Sequence, residues 1–409
     1  METEIKRCRS CNGELIPIID LGNQAVCNFG DGKDVKFPLE LVMCGNTKCR
    51  LLQLKHNAPP ESMWNENYGY KSGINRLIRE NLKEIVDDIE QLKQLKPDNY
   101  VIDIGSNDGT LLNYYSNPNK LRRIGFEPSI NVAKESEEKG FTIVRNFFNE
   151  EEFRKITKIG KAQVITAISM FYDLDNPNQF LKDIKGCLDE DGIFIIQQNY
   201  LKSMLEQNAF CNICHEHRCY YSLQSLKYLL EQNGLEIFDV KFNDINGGSI
   251  RTYIKHKEYK FYEITNNVSI ALQKDIEAGL DTLEPYNKFA ERIKNIKEKC
   301  INFLKEQKRL DKKVYGCGAS TRGNTILQYF EITPELMIAI GDANKEKWGK
   351  KTSGSGIPIV SPEEIKDADY QFVLIWHLFE AIKEKEQNTN FIVPMPEPRV
   401  IIKNEVKLL

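Results

Sequence analysis

Apolar positions follow two spacings along this chain. Residues 74–95 place Ile74, Leu77, Ile78, Leu82, Ile85, Val86, Ile89 and Leu92 near helical spacing, which predicts an amphipathic helix. Lys96-Pro97-Asp98-Asn99 ends it. Short apolar runs follow at 101–104, 123–126, 164–168 and 193–197. The first leads into a glycine-bearing loop and a helix-like stretch at 110–115; helical stretches at 130–139 and 179–188 separate the others. Such runs, alternating with helices, predict buried parallel strands. Another helix is expected over 223–234, and late strands over 236–240 and 249–254 around Asn246-Gly247-Gly248. Residues 256–310 carry Lys and Glu at helical spacing and predict a connecting helix or helix pair. Runs at 313–315, 336–340 and 372–376 then predict a second α/β unit. The first 60 or so residues differ, with short runs, two cysteine pairs, Gly and Pro, and read as a small loop-rich module. The expected class is α/β, with a small module at 1–60, a central domain with its leading helix at 61–255 and a C-terminal α/β domain at 256–409.

The composition, 41% hydrophobic and 28% charged, is that of a globular chain with material for more than one core. The formal net charge of -3 argues against nucleic acid as a partner. No apolar leader and no run long enough for a membrane span is visible, so a cytoplasmic location and no membrane partner are expected. Eleven cysteines in that compartment should be mostly reduced, which leaves them available as ligands.

Asp103-Ile104-Gly105-Ser106-Asn107-Asp108-Gly109 joins a predicted strand to a helix, and Glu127 ends the next strand. Glycines let the backbone turn tightly against a ligand at a strand's carboxyl end, and an acid on the following strand can accept ribose hydroxyls. The Gly-x-Gly-x-x-Gly spelling of dinucleotide sites is absent. An acid-bearing loop suits a phosphate-free, cationic cofactor, S-adenosylmethionine, with Asp103, Gly105, Asn107, Asp108 and Glu127 as its expected contacts.

Cys8-Arg-Ser-Cys11 and Cys44-Gly-Asn-Thr-Lys-Cys49 are two close thiol pairs with no histidine between them. Four thiolates make a closed structural zinc site, and zinc would supply stability that a small core lacks. Cys27 ranks below these four as a ligand, and a redox role for Cys8 and Cys11 lacks the strand-to-helix setting. Cys214-His215-Glu216-His217 holds two of the five histidines. In an extended segment His215 and His217 share one face and Glu216 the other, so one imidazole could be oriented while another acts as general base. In the C-terminal unit, Gly316, Gly318 and Gly323 open a helix after a strand. Its backbone N–H groups, with Ser320, Thr321, Arg322 and Asn324, form an expected anion site. A packing-driven turn is the plain alternative there, as a structural histidine is for His377.

Several of these segments together resemble the three-domain sugar C-methyltransferases that act on nucleotide-linked 4-keto deoxysugars. The resemblance rests on the cysteine framework with Leu39-Glu-Leu-Val-Met-Cys44, on Ile104-Gly-Ser-Asn-Asp-Gly-Thr-Leu-Leu112, on His215-Glu216-His217, on Asn246-Gly-Gly-Ser249, on Tyr315-Gly-Cys-Gly-Ala-Ser-Thr-Arg-Gly-Asn-Thr325 and on Trp376-His377. It implies a class I methyltransferase Rossmann-like core between a zinc-binding module and a C-terminal Rossmann-like domain. It further implies His217 as the base that forms an enolate, Glu216 as its orienting or assisting group, and Tyr68 or Tyr70 hydrogen-bonding the sugar. Cys214 stands where better-known members carry Tyr, and Ile168-Ser-Met-Phe-Tyr-Asp-Leu174 resembles a less characterised branch. Two other readings remain open at this point: O- or N-methylation of another glycan precursor or small metabolite, and a non-enzymatic zinc-dependent binding protein.

Overall fold

The computed structural model describes residues 3–27, 34–63, 71–116, 120–386, 389–403 and 405–409. Tyr68 and Tyr70 lie outside them. The N-terminal region holds β1 (Thr3–Glu4), β2 (Leu15–Ala25), β3 (Lys36–Cys44), β4 (Leu52–Leu54) and β5 (His56–Asn57). β2 and β3 form a long antiparallel hairpin where loops were expected. Its alternation is masked in sequence by Pro17 and by register shifts within the pairing.

The predicted leading helix is α1 (Arg76–Leu92); the Asn75 side chain caps it by accepting from the Leu77 N–H. Ile85, Val86 and Ile89 are its buried face. The central domain continues with β6 (Tyr100–Ile104), β7 (Arg122–Phe126), α2 (Ile130–Glu138), β8 (Thr142–Val144), α3 (Glu150–Thr157), β9 (Ala162–Ile168), α4 (Pro177–Cys187), β10 (Leu188–Asn199), α5 (Leu201–Glu206), β11 (Cys219–Tyr220), α6 (Leu223–Gln232), β12 (Leu235–Asn243) and β13 (Ser249–His256). Seven of these strands make one sheet in the order β12-β13-β10-β9-β6-β7-β8. β10, β9, β6, β7 and β8 run parallel, and β13 lies antiparallel to both β10 and β12. A parallel sheet with one reversed strand near its edge is the class I methyltransferase sheet. Its middle strands are largely apolar because both faces are covered. Only 112–114 of the expected helix at 110–115 is helical, as one 3-10 turn.

Beyond residue 255 come α7 (Asn266–Glu277) and α8 (Glu284–Arg309). α7 packs on β12 and α6, whereas α8 packs on β2 and β14. The last unit comprises β14 (Val314–Cys317), α9 (Thr321–Tyr329), β15 (Ile340–Gly341), β16 (Ile359–Val360), β17 (Tyr370–Val373), α10 (Phe379–Lys385), β18 (Phe391–Val393), β19 (Arg399–Ile402) and β20 (Glu405–Leu408). Its sheet runs β16-β15-β14-β17-β18-β19-β20, parallel through β18. Strand order reverses between β14 and β17, so the loops after those two strands border the crevice where open α/β sheets take ligands. β11 joins the N-terminal sheet beside β4, and one apolar core runs from that hairpin into the C-terminal unit. No helix among the described residues is long and apolar enough to cross a membrane.

Candidate active site and zinc centre

The four predicted thiols converge. Cys8 and Cys49 lie 3.7 Å apart through their sulfurs, Cys11 and Cys44 3.4 Å, and all four sulfurs lie within 4.8 Å of one another. A tetrahedral zinc with Zn–S bonds of about 2.3 Å has S···S edges of about 3.8 Å, so the four thiolates fit zinc and leave no open ligand position. Tight turns present them: Asn12 N–H donates to Cys8 O, and Cys49 N–H to Asn46 O. Cys27 is not in the cluster. Between the first two ligands, Arg9 donates to Leu54 O (2.6 Å) and lies 3.5 Å from Asp175, while Asn178 donates to Arg9 O and Ser10 O. The knuckle is therefore bolted to the loop that follows β9 through Asp175 and to the first turn of α4 through Asn178.

That loop is one wall of a cavity of about 500 Å³ at the carboxyl ends of β6, β7 and β9. Asp103, Gly105, Asn107 and Glu127 line it, with Phe147, Phe148 and Met170 as apolar walls. Gly105 sits at φ +69°, and a Cβ there would press to 3.2 Å on Met170, so the loop needs glycine. Glu127 accepts from the Asn107 N–H at 3.0 Å and the Ser129 N–H at 2.8 Å, which aims its carboxylate at the cavity rim. Burial nevertheless raises its pKa. Asp103 accepts only from Thr166 Oγ1, at 2.7 Å, among the described residues; burial, reinforced by the charges of Glu127 and Asp108, pushes its carboxyl up to about 7.

Among the described residues, Asp103, Glu127 and Asp173 are buried carboxyls on the cavity wall, and the one guanidinium there, Arg218, lies 3.8 Å from the more exposed Asp175. Buried acids without counter-charges favour a cationic ligand. S-adenosylmethionine, with its sulfonium and ammonium, fits this donor set: Asp103 would face the cationic part and Glu127 the ribose. Asp108 departs from expectation. Its carboxylate turns from the cavity and accepts from Thr110 Oγ1 at 2.6 Å and the Gly73 N–H at 2.9 Å. Asn107 Oδ1 likewise accepts from the Ser72 N–H at 2.9 Å. Both side chains tether the segment ahead of α1 over the cofactor loop, a role readable only once residues 72–73 and 107–108 are brought together.

The His-Glu-His segment is not extended. His217 N–H donates to Cys214 O at 3.1 Å, closing a turn that corrects the expected alternation of faces. His215 lines a small pocket together with Glu216, Thr321 and Asn324; its Nε2 meets Phe37 O at 3.1 Å, it is buried, and burial lowers its pKa to about 4. Cys214, Glu216 and His217 instead group together, their ligand atoms within 4.8 Å of one another, with Cys214 Sγ 3.9 Å from Glu216 Oε2. His217 donates Nδ1–H to Asn212 O at 2.9 Å, and its ring lies 4.3 Å from that of Tyr172. Burial, then the Arg322 charge, lowers its pKa to about 4, so the imidazole is neutral near pH 7. Burial raises Glu216 to about 7.

Asp173 was not singled out as a site residue. It follows β9, lines the cavity and, through burial and the nearby Glu216, holds its proton well above the usual carboxylate range. Its position in 168–174, directly after a predicted strand, was the available signal.

In the C-terminal unit, Gly318, Ser320 and Thr321 lie after β14 at the crevice, with His377 after β17. Ser320 Oγ is taken by the Gly323 N–H (3.0 Å) as the cap of α9. Thr321 and Asn324 line a small pocket with Cys214, His215 and Glu216, and neither amide atom of the buried Asn324 has a hydrogen-bond partner among the described residues. Arg322, expected to bind an anion, donates to Asn212 Oδ1, Asn246 O and His377 Nδ1.

Three sequence families match in succession: "Putative zinc binding domain" over residues 8–64, "Methyltransferase domain" over 70–240 and "C-methyltransferase C-terminal domain" over 244–396. The C-methyltransferase NovU of Streptomyces niveus is 29% identical over 412 residues, covering 97% of each chain. Among solved structures, the magnesium protoporphyrin IX methyltransferase of Synechocystis with bound SAH is 12% identical, covers 46% of this chain and 89% of its own, and gives a TM-score of 0.34. An S-adenosylmethionine-dependent methyltransferase from Clostridium acetobutylicum is 12% identical, covers 43% and 91%, and scores 0.33. Those two partial likenesses carry no weight beside the strand order, the thiolate cluster and the full-length relative. A zinc-binding region, a methyltransferase core and a C-methyltransferase C-terminal region are matched in that order, and the chain is an S-adenosylmethionine-dependent methyltransferase.

Proposed function

We propose that this enzyme methylates the carbon beside the ketone of a nucleotide-linked keto-deoxysugar, with His217 as the base. The observation that carries the reading is the tautomer of His217: a carbonyl acceptor at Nδ1 places the proton there and leaves the Nε2 lone pair free to take one. Bound adenosylmethionine supplies an electrophilic methyl on a positively charged sulfur. His217 removes the proton next to the substrate carbonyl, and the C–H electron pair becomes an enolate. The enolate carbon is the nucleophile that the bound donor's methyl would meet, and the sulfur would keep the pair of its broken S–CH3 bond. Glu216, near 7, and Asp173, above the usual range, are proton-holding groups able to donate to the enolate oxygen. Asp103 and Glu127 would hold the donor in the cavity that Asp173 and Arg218 also line; His217, next to Arg218, lines a small pocket with Tyr172, and an acceptor held between the two would meet the methyl without an encounter entropy. The free N–H groups at the start of α9, with Thr321 and Asn324, would take the diphosphate; support comes from their place at the switch point of the C-terminal sheet. Tyr68 or Tyr70 is retained as a sugar contact from the resemblance alone.

The test uses methyl-labelled adenosylmethionine with a panel of nucleotide-linked 4-keto sugars, read by mass spectrometry. In heavy water without the methyl donor, the wild type should exchange one carbon-bound proton beside the ketone, and His217→Asn should abolish that exchange. Label found on oxygen or nitrogen would refute the enolate route.

A further inference from the structure

Arg322 belongs to the C-terminal unit, yet one end of its guanidinium reaches the central domain. One terminal nitrogen, Nη1, donates to Asn212 Oδ1 and to Asn246 O, both at 2.8 Å. The other, Nη2, donates to His377 Nδ1 at 2.6 Å. Because the guanidinium is a permanent donor, His377 must accept through an unprotonated Nδ1. Asn212 closes the 3-10 turn Phe210–Asn212, and its carbonyl oxygen takes the His217 Nδ1–H at 2.9 Å and the Tyr220 hydroxyl at 3.2 Å. Asn246 holds φ +57° in the turn that follows Ile245, a residue on the wall of the cofactor cavity. One planar fork thus ties three loops from two domains.

We infer that Arg322 is a positioning residue: through Asn212 it fixes the orientation and tautomer of His217 across the junction of the central and C-terminal domains. It acts through another residue, where the sequence pattern pointed to an anion contact. The inference rests on the reading of His217 as base for its functional meaning, but the geometry stands without it. A planar five-donor fork suits this task, since it can satisfy acceptors in three directions at once. The coupling also gives the C-terminal domain a part in the chemistry: the base is aligned only when that domain is docked. The other groups around His217 are Cys214 and Glu216 on its own turn, Tyr172 after β9, the Asn212 carbonyl, and Tyr200, Cys219 and Tyr220 on the small pocket it lines.

The test is nitrogen NMR of the full chain labelled with ¹⁵N-histidine, needing no substrate. In the wild type, His217 should be the Nδ1–H tautomer and stay neutral down to about pH 4. In Arg322→Gln the tautomers should mix, and the titration midpoint should rise by on the order of one unit as the positive charge is lost. Arg322→Lys keeps the charge but has no fork, so the midpoint should stay low while the tautomers mix. Asn212→Ala breaks the same link from the other side and should reproduce the mixing with Arg322 in place, which keeps the test open if an Arg322 variant fails to fold. An unchanged His217 tautomer in Arg322→Gln or in Asn212→Ala overturns the inference. If the tautomer responds but His217→Asn still methylates carbon, the base assignment fails and the positioning link survives.

Discussion

Asp103 should cost the ligand-free enzyme stability and give it cofactor affinity. Its carboxyl is 5% exposed, accepts one hydrogen bond from Thr166 and sits at about 7 rather than near 3.8. Burial is the main cause, with Thr166 opposing it and the Glu127 and Asp108 charges adding to it. A carboxyl raised this far carries an ionisation penalty of about 4 kcal/mol at pH well above 7. The sign follows from linkage. Between pH 4 and 7 the folded state holds a proton that the unfolded chain has released, so this group's favourable contribution is complete below about 4 and is lost as pH rises through 7. A bound sulfonium and ammonium would reverse the penalty by pairing with the ionised form. Adenosylmethionine affinity should therefore fall about tenfold per pH unit below 7. Asp103→Asn keeps an acceptor for Thr166 and deletes the charge. At pH 8 the ligand-free variant should be more stable by about 1–3 kcal/mol, less than the full penalty because the new amide NH₂ needs a partner. Its cofactor affinity should drop about 10²-fold or more. Calorimetric titration at pH 6, 7 and 8, in two buffers of different ionisation enthalpy, reads affinity and proton release together; urea unfolding reads stability. A flat wild-type affinity between pH 6 and 8, or a ligand-free Asp103→Asn that unfolds more easily at pH 8, refutes the reasoning.

Two other perturbations test the scaffold. Elemental analysis should find one zinc per chain, and Cys44→Ser should lose it; because Arg9 and Asn178 join the knuckle to the loop after β9, adenosylmethionine should then bind several-fold more weakly, and unaltered affinity in the zinc-free protein would show that the knuckle does not brace the cavity. The fully buried Arg251 pairs with Asp88 at 2.6 Å and Glu84 at 3.2 Å and donates to Gln197 and to Asn81, a cavity residue, so Asp88→Ala should cost about 1–3 kcal/mol in urea unfolding by removing one of two carboxylates, and Asp88→Ala with Glu84→Ala should cost more than the two single losses added together.

The elements that sequence reading placed well are those whose pattern is set by one surface or one core. α1 is amphipathic because one face meets the sheet, and β6, β9 and β10 are apolar because helices cover both sides. The β2–β3 hairpin escaped notice since its pairing shifts register and includes Pro17. The expected strand at 336–340 shrank to Ile340–Gly341. Its apolar positions were real: Met337 is fully buried, and Ile338 and Ala339 already bond β14 through Ile338 N–H to Val314 O and Gly316 N–H to Ala339 O, while the residues before them form a turn.

What the amino-acid sequence determined by itself was the chemistry on offer: four thiols in two close pairs, an acid-bearing glycine loop after a strand, a His-Glu-His segment and a second glycine loop. Residue type and local spacing suffice for those, because each depends on neighbours within a few positions. Tertiary structure alone decided how they are used. It turned His215 out to Phe37 and gathered Cys214, Glu216 and His217 in one turn. It spent Asp108 on Gly73 rather than on the cofactor. It also carried Arg322 from an expected anion site to Asn212, over a separation of more than a hundred residues. A hydrogen bond is directional over about 3 Å, and no sequence spacing encodes which distant acceptor will stand at that distance when the domains meet.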